Sequence, residues 1–100
     1  GYTAAKHGVL GLTKQAAVEY AKSNISVNSI SVGPTLTEAT EKILEMETNA
    51  RNHFLSELNP TGELIKIESI AEAVYFLCSS GASMINGHSL TIDGGQLAKL

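Results

Sequence analysis

Tyr2 and Lys6 stand four residues apart, a spacing that puts both on one helix face with Cβ atoms about 5–6 Å apart. An ammonium beside a phenol favours phenolate over phenol. A tyrosine, whose reference pKa is about 10, can then exchange a proton with a hydroxyl or carbonyl near neutral pH, the work of a general acid or base. The same spacing also arises by chance in a helix, so a purely structural contact stays open. The second stretch with chemical potential is the strand-to-loop passage from Asn28 to Thr37, Asn28-Ser29-Ile30-Ser31-Val32-Gly33-Pro34-Thr35-Leu36-Thr37. In open α/β sheets ligands bind beyond the carboxyl ends of the strands. A turn there offers backbone N–H and C=O groups and a hydroxyl to a planar amide; alternatively, Thr37 is an ordinary helix N-cap. The third stretch runs from Asn86-Gly87 to Asp93-Gly94-Gly95, a turn, a short strand and a glycine-rich exit. His7, His53, His88 and Cys78 lack metal-ligand spacing, so no metal site is expected. Ser79 and Ser80 have no base at triad-like spacing.

Positioning these groups requires an alternation of helices and strands. Residues 3–22 read as a helix with Ala5, Val9, Leu12, Ala16 and Tyr20 on one stripe, stopping near Ser23-Asn24. Gly8 and Gly11 each weaken that helix by about 1 kcal/mol relative to Ala, which suggests that another helix approaches closely there. Residues 25–32 read as a strand, and residues 38–58 as a helix with Ile43, Met46, Ala50, Phe54 and Leu58 as its stripe. Pro60 closes that helix. Glu38, Glu41, Glu45 and Glu47 form its solvated side and favourable first turn. Ser69 and Glu72 fit a capping box for a further helix, with Ile70, Ala73, Val74 and Leu77 inward and Gly81 at its end. Ser89–Ile92 is the final strand. So much helix between two strands predicts parallel pairing and an α/β layer fold. Two strands are few for such a sheet, so the architecture is expected to be incomplete.

The chain has 100 residues, 43% of them hydrophobic and 17% charged, as in a globular domain. Seven basic residues against ten acidic ones leave a net charge of −3. That balance argues against nucleic acid and against an anionic membrane as partners. No apolar run approaches a membrane span, one cysteine excludes an internal disulfide, and no secretory signal is evident. A cytoplasmic protein is expected. Because the chain opens at Gly1, a truncated or processed product is also expected.

Together the three stretches resemble the short-chain dehydrogenase/reductase family over essentially the whole chain. Tyr2-Thr3-Ala4-Ala5-Lys6 through Lys14 looks like its active-site helix. Ile25-Ser26-Val27-Asn28 with Gly33 looks like its sixth strand and nicotinamide-side loop, and Ala82 through Gly95 looks like its last strand. The resemblance implies that residues 1–100 are the C-terminal segment of a single Rossmann-like domain with a doubly wound parallel sheet. It implies hydride transfer between NAD or NADP and a small alcohol or carbonyl substrate, with Tyr2 as proton donor or acceptor. Lys6 would favour the ionised tyrosine and hydrogen-bond the nicotinamide ribose. Gly33, Thr35 and Thr37 would form the cofactor loop, with the Thr35 backbone on the carboxamide. The segment 38–58 would cover the substrate, so that Ile43, Leu44, Met46 and Phe54 line an apolar pocket or simply pack a core. A homodimer or homotetramer pairing through the first helix is also implied. Two positions depart from the family: Val32 replaces a proline before the glycine, and Glu63 replaces an arginine after Gly62. The family's Gly-rich phosphate loop, its catalytic serine and asparagine, and the residue that separates NAD from NADP all lie upstream of the matched portion. A second reading is therefore a non-catalytic fragment that pairs through its helices.

Overall fold

The computed structural model describes residues 1–99. The chain condenses into two units, one of Gly1–Ser31 with Ala73–Leu90 and another of Val32–Glu72 with the residues from Thr91 onward. The elements are α1 (Tyr2–Tyr20), β1 (Ser29–Val32), α2 (Thr48–Leu58), α3 (Ile67–Leu77) and β2 (Ser89–Ile92). β1 and β2 form a two-stranded sheet. Ser29 N–H donates to His88 O and Gly33 N–H donates to Ile92 O, each at 2.9 Å. Both strands therefore advance in the same sense, which is the parallel α/β pairing that the element order predicts.

In the first unit α1 starts one residue earlier than its periodicity suggests. It tightens into a 3₁₀ turn at Ala21–Ser23 and ends where Asn24 adopts φ 61°. The stripe facing inward differs from the predicted one. Thr13 and Ala17 are buried, whereas Val9 and Leu12 are 54% and 71% exposed. The reason lies far away in the chain: Asn86 Nδ2 donates to Ala17 O at 3.0 Å, and Gly87 packs on the Ala17 methyl. Gly8 and Gly11 face open space, so no helix of the described residues approaches them. The predicted strand over 25–32 shrinks to its second half. Asn28 Oδ1 accepts from His88 N–H at 3.0 Å and its Nδ2 donates to Ile85 O at 2.9 Å. Val27 N–H donates to Asn86 Oδ1 at 2.9 Å. Side-chain amides thus take the partners that a longer strand ladder would use.

The second unit splits the helix expected over 38–58. A turn leads into a 3₁₀ segment, Glu41–Glu45, followed by extended backbone at Met46 and Glu47 and then α2. Glu47 causes the restart, because its carboxylate accepts from Ala50 N–H at 3.0 Å as an N-cap. The Ala50 and Asn49 N–H groups, with Arg51 behind them, hold its carboxyl below the usual carboxylate range. Leu55 is the buried residue of α2, while Met46, Ala50 and Phe54 of the expected stripe lie exposed. The four glutamates are exposed, as expected of a solvated side.

α3 runs through both units and begins two residues before Ser69, so Ser69 and Glu72 lie inside it and form no capping box at its start. None of its residues is buried: Ile70, Ala73 and Leu77 are half-buried, and Val74 is 45% exposed. It ends at Leu77 rather than at Gly81, where Ser79 turns extended and its hydroxyl donates to Phe76 O. A two-stranded sheet offers too little surface to cover the apolar faces of α1 and α3.

Candidate functional site

In the first unit Tyr2 and Lys6 occupy the opening turns of α1, which starts with Ala5 N–H donating to Gly1 O at 3.0 Å. Tyr2 is 78% exposed and Lys6 is half-buried. His7 is turned to another side, where its Nδ1–H donates to Thr3 O at 2.9 Å. The helix therefore presents a phenol and an ammonium one turn apart, with the imidazole occupied elsewhere.

The second unit builds the loop after β1. Gly33 sits against the start of the glycine-rich exit: a Cβ there would meet Asp93 Cβ at 2.8 Å and Asp93 Cα at 3.0 Å. Asp93 has little room to yield. It is 8% exposed, its Oδ1 accepts from Gly95 N–H at 2.9 Å and its Oδ2 accepts from Leu97 N–H at 3.1 Å. Close backbone approach thus explains the glycine. Gly33→Ala is expected to destabilise the fold by about 1–3 kcal/mol, as overpacking does. A denaturant midpoint indistinguishable from wild type would show that the contact relaxes freely.

Beyond Gly33 the chain pairs with a segment that sequence reasoning overlooks. Ile65 N–H donates to Pro34 O and Leu36 N–H donates to Ile65 O, both at 2.8 Å, making a parallel bridge between Thr35 and Ile65. Ile65 is buried. Its own approach is set by Asn59, which is 1% exposed. Asn59 Oδ1 accepts from the Thr61 and Gly62 N–H groups at 2.9 and 3.1 Å, and its Nδ2 donates to Glu63 O at 2.9 Å. Gly94, at φ 63°, fits against this amide, where a Cβ would lie 2.9 Å from Asn59 Oδ1. The visible signal was the turn-forming run Asn59-Pro60-Thr61-Gly62, although nothing local reveals its partner.

Thr35 and Thr37 lie on this bridged loop. Thr35 Oγ1 donates to Gly33 O at 2.9 Å, and Thr35 N–H makes no hydrogen bond among the described residues. Thr37 is exposed and is not a helix N-cap, since the 3₁₀ segment begins after Thr40. Its N–H donates to Thr40 Oγ1 at 2.8 Å. The loop so offers a free N–H and a solvent-facing hydroxyl, the donor and acceptor types that suit a primary carboxamide. Among the described residues no three His, Cys, Asp or Glu side chains cluster as metal ligands. No helix of the described residues is long and apolar enough to cross a membrane.

One unit thus offers an exposed phenol one turn from a half-buried lysine, and the other a threonine loop bridged to Ile65 after a parallel strand. Residues 1–96 match the family described as Enoyl-(Acyl carrier protein) reductase, and the chain belongs to this short-chain dehydrogenase/reductase family. It is 40% identical over 99 residues to cyclohexanol dehydrogenase of Acinetobacter sp. (strain SE19), covering 99% of this chain and 37% of that protein. It is 41% identical over 98 residues to D-threitol dehydrogenase of Mycolicibacterium smegmatis, covering 98% of this chain and 36% of that one. Among solved structures, 4-hydroxyisoleucine dehydrogenase complexed with NADH superposes with a TM-score of 0.87 at 36% identity, over 99% of this chain and 40% of that chain. ElxO with NADP bound superposes with a TM-score of 0.83 at 36% identity, over 98% of this chain and 39% of that chain. The fold is thus that of part of a Rossmann-like dehydrogenase domain. The chain spans less than half the length of the curated relatives it matches.

Proposed function

We propose that this chain is the C-terminal portion of an oxidoreductase that uses NAD or NADP to interconvert an alcohol and a carbonyl. The observation that carries the reading is the Tyr2–Lys6 pair, one turn apart at the start of α1 with the phenol open to solvent. The dehydrogenase relatives and the NADH and NADP in related structures support it. A bound nicotinamide supplies the hydride acceptor or donor. Tyr2 Oη would pass a proton to or from the substrate oxygen, and Lys6 Nζ would place a positive charge one turn from the phenol and hydrogen-bond the cofactor ribose. Gly33 brings the loop close to Asp93; the Thr35 backbone would hold the nicotinamide carboxamide and the Thr37 hydroxyl would hydrogen-bond the cofactor. A homodimer or homotetramer pairing through α1 is part of the same reading.

One preparation of the complete protein tests both parts. Saturable fluorescence changes on titrating NADH or NADPH at micromolar concentration are the expected result, with sedimentation as a dimer or tetramer. Absence of binding by both dinucleotides overturns the oxidoreductase reading and favours a helix-pairing module. A species that sediments only as monomer overturns the assembly.

A further inference from the structure

Thr40 Oγ1 stands at the junction of the two groups assigned above to the cofactor. It donates to Thr35 O at 2.6 Å and accepts from Thr37 N–H at 2.8 Å. Its single proton goes to Thr35 O, since the competing Thr37 O is farther away at 3.2 Å. The Thr37 hydroxyl lies 3.4 Å from Thr40 Oγ1. Thr40 N–H donates back to Thr37 O at 3.1 Å, so the turn between them is closed from both sides. On one flank the Ile65 bridge holds Pro34 and Leu36. From Thr37 onward no such bridge exists among the described residues, and the Thr40 hydroxyl is what ties Thr37 to Thr35.

We propose that Thr40 is a positioning residue for the nicotinamide end of the cofactor. Its hydroxyl holds the Thr35 backbone and the Thr37 side chain at one spacing before any ligand arrives. The proposal rests on the oxidoreductase reading of this loop. The physical basis is preorganisation. An untethered turn samples several backbone conformations, and a ligand that needs one of them gives up affinity to select it. Thr35 O has a second lone pair, so the bond to Thr40 leaves it able to accept another. Thr35 N–H stays free for the carboxamide oxygen.

The test compares wild type, Thr40→Val and Thr40→Ser in the complete enzyme, titrated with the preferred dinucleotide and with ADP-ribose, which lacks the nicotinamide. Val keeps the β-branched shape and loses the hydroxyl, whereas Ser keeps the hydroxyl. For Thr40→Val the dinucleotide Kd is expected to rise about five- to tenfold, the scale of one or two lost hydrogen bonds. Its ADP-ribose Kd should stay near wild type, and its kcat at saturating cofactor should change little while the cofactor KM rises. Thr40→Ser should restore dinucleotide affinity. If Thr40→Val does not fold, Thr40→Ala takes its place with the same expectation. Equal weakening of dinucleotide and ADP-ribose would mark a general structural role and overturn the proposal, as would unchanged dinucleotide affinity. Variants that bind dinucleotide and ADP-ribose as tightly as a dinucleotide-binding wild type remove Thr40 alone. A wild type that binds no dinucleotide removes the oxidoreductase reading and this proposal with it.

Discussion

Tyr2→Phe in the complete enzyme is expected to lower turnover by at least about 10²–10⁴-fold, the range for losing a general acid or base, with cofactor affinity nearly unchanged. The substitution deletes one oxygen and keeps the ring. Because Tyr2 is 78% exposed, deleting that oxygen leaves no unsatisfied buried partner, and stability should hold. The loss should therefore appear in kcat and kcat/KM together, the pattern of an interaction made only in the transition state. Steady-state kinetics with parallel thermal denaturation make the comparison. Turnover within a few-fold of wild type would remove Tyr2 from the proton path and leave the pair as a surface contact.

Lys6→Met should produce two effects at once. On the proposed role of Lys6, losing the ammonium removes a hydrogen-bond donor to the ribose, so cofactor KM should rise. It also removes the positive charge one turn from Tyr2, so kcat should fall by about tenfold or more, a change of about 1.4 kcal/mol in barrier. Lys6→Arg keeps the charge and alters the donor geometry, and should lie between wild type and Lys6→Met. Combining Lys6→Met with Tyr2→Phe gives the sharper discrimination. If Lys6 raises the rate through the Tyr2 proton, its kcat effect should vanish once the phenol oxygen is gone, while its effect on cofactor KM persists. Fully additive kcat losses in the double variant would show that the two residues act independently.

Several features of this chain were readable from spacing because their causes are local. The extent of α1, the position of the strand Ser89–Ile92 and the exposure of the four glutamates follow from residue types within a few positions, whereas the turn expected at Asn86-Gly87 gives way to a bend whose partners are Ala17 and Val27. Tyr2 and Lys6 belong to this group, since a one-turn separation on a helix is a property of the spacing itself. Other expectations gave way to partners distant in sequence. Residues 25–28 look like strand by composition, yet the side chains of Asn28 and Asn86 satisfy the backbone that a ladder would have used. The acidic run 38–47 looks like helix, yet Glu47 reaches forward to cap a new one.

The loop after β1 shows the division most plainly. Order along the chain suffices to put a hydroxyl-rich turn after a β-branched segment, and to mark Gly33, Thr35 and Thr37 as groups with something to offer a ligand. Which of their atoms are free is decided by folding. Ile65 captures Pro34 O and Leu36 N–H, Asn59 sets the turn that delivers Ile65, and Asp93 demands a residue without Cβ at position 33. The face that α1 buries is likewise decided by Asn86 and Gly87, not by its own apolar stripe. Backbone periodicity specifies which side chains share a face, but burial and hydrogen-bond partners depend on segments that meet only once the chain is closed.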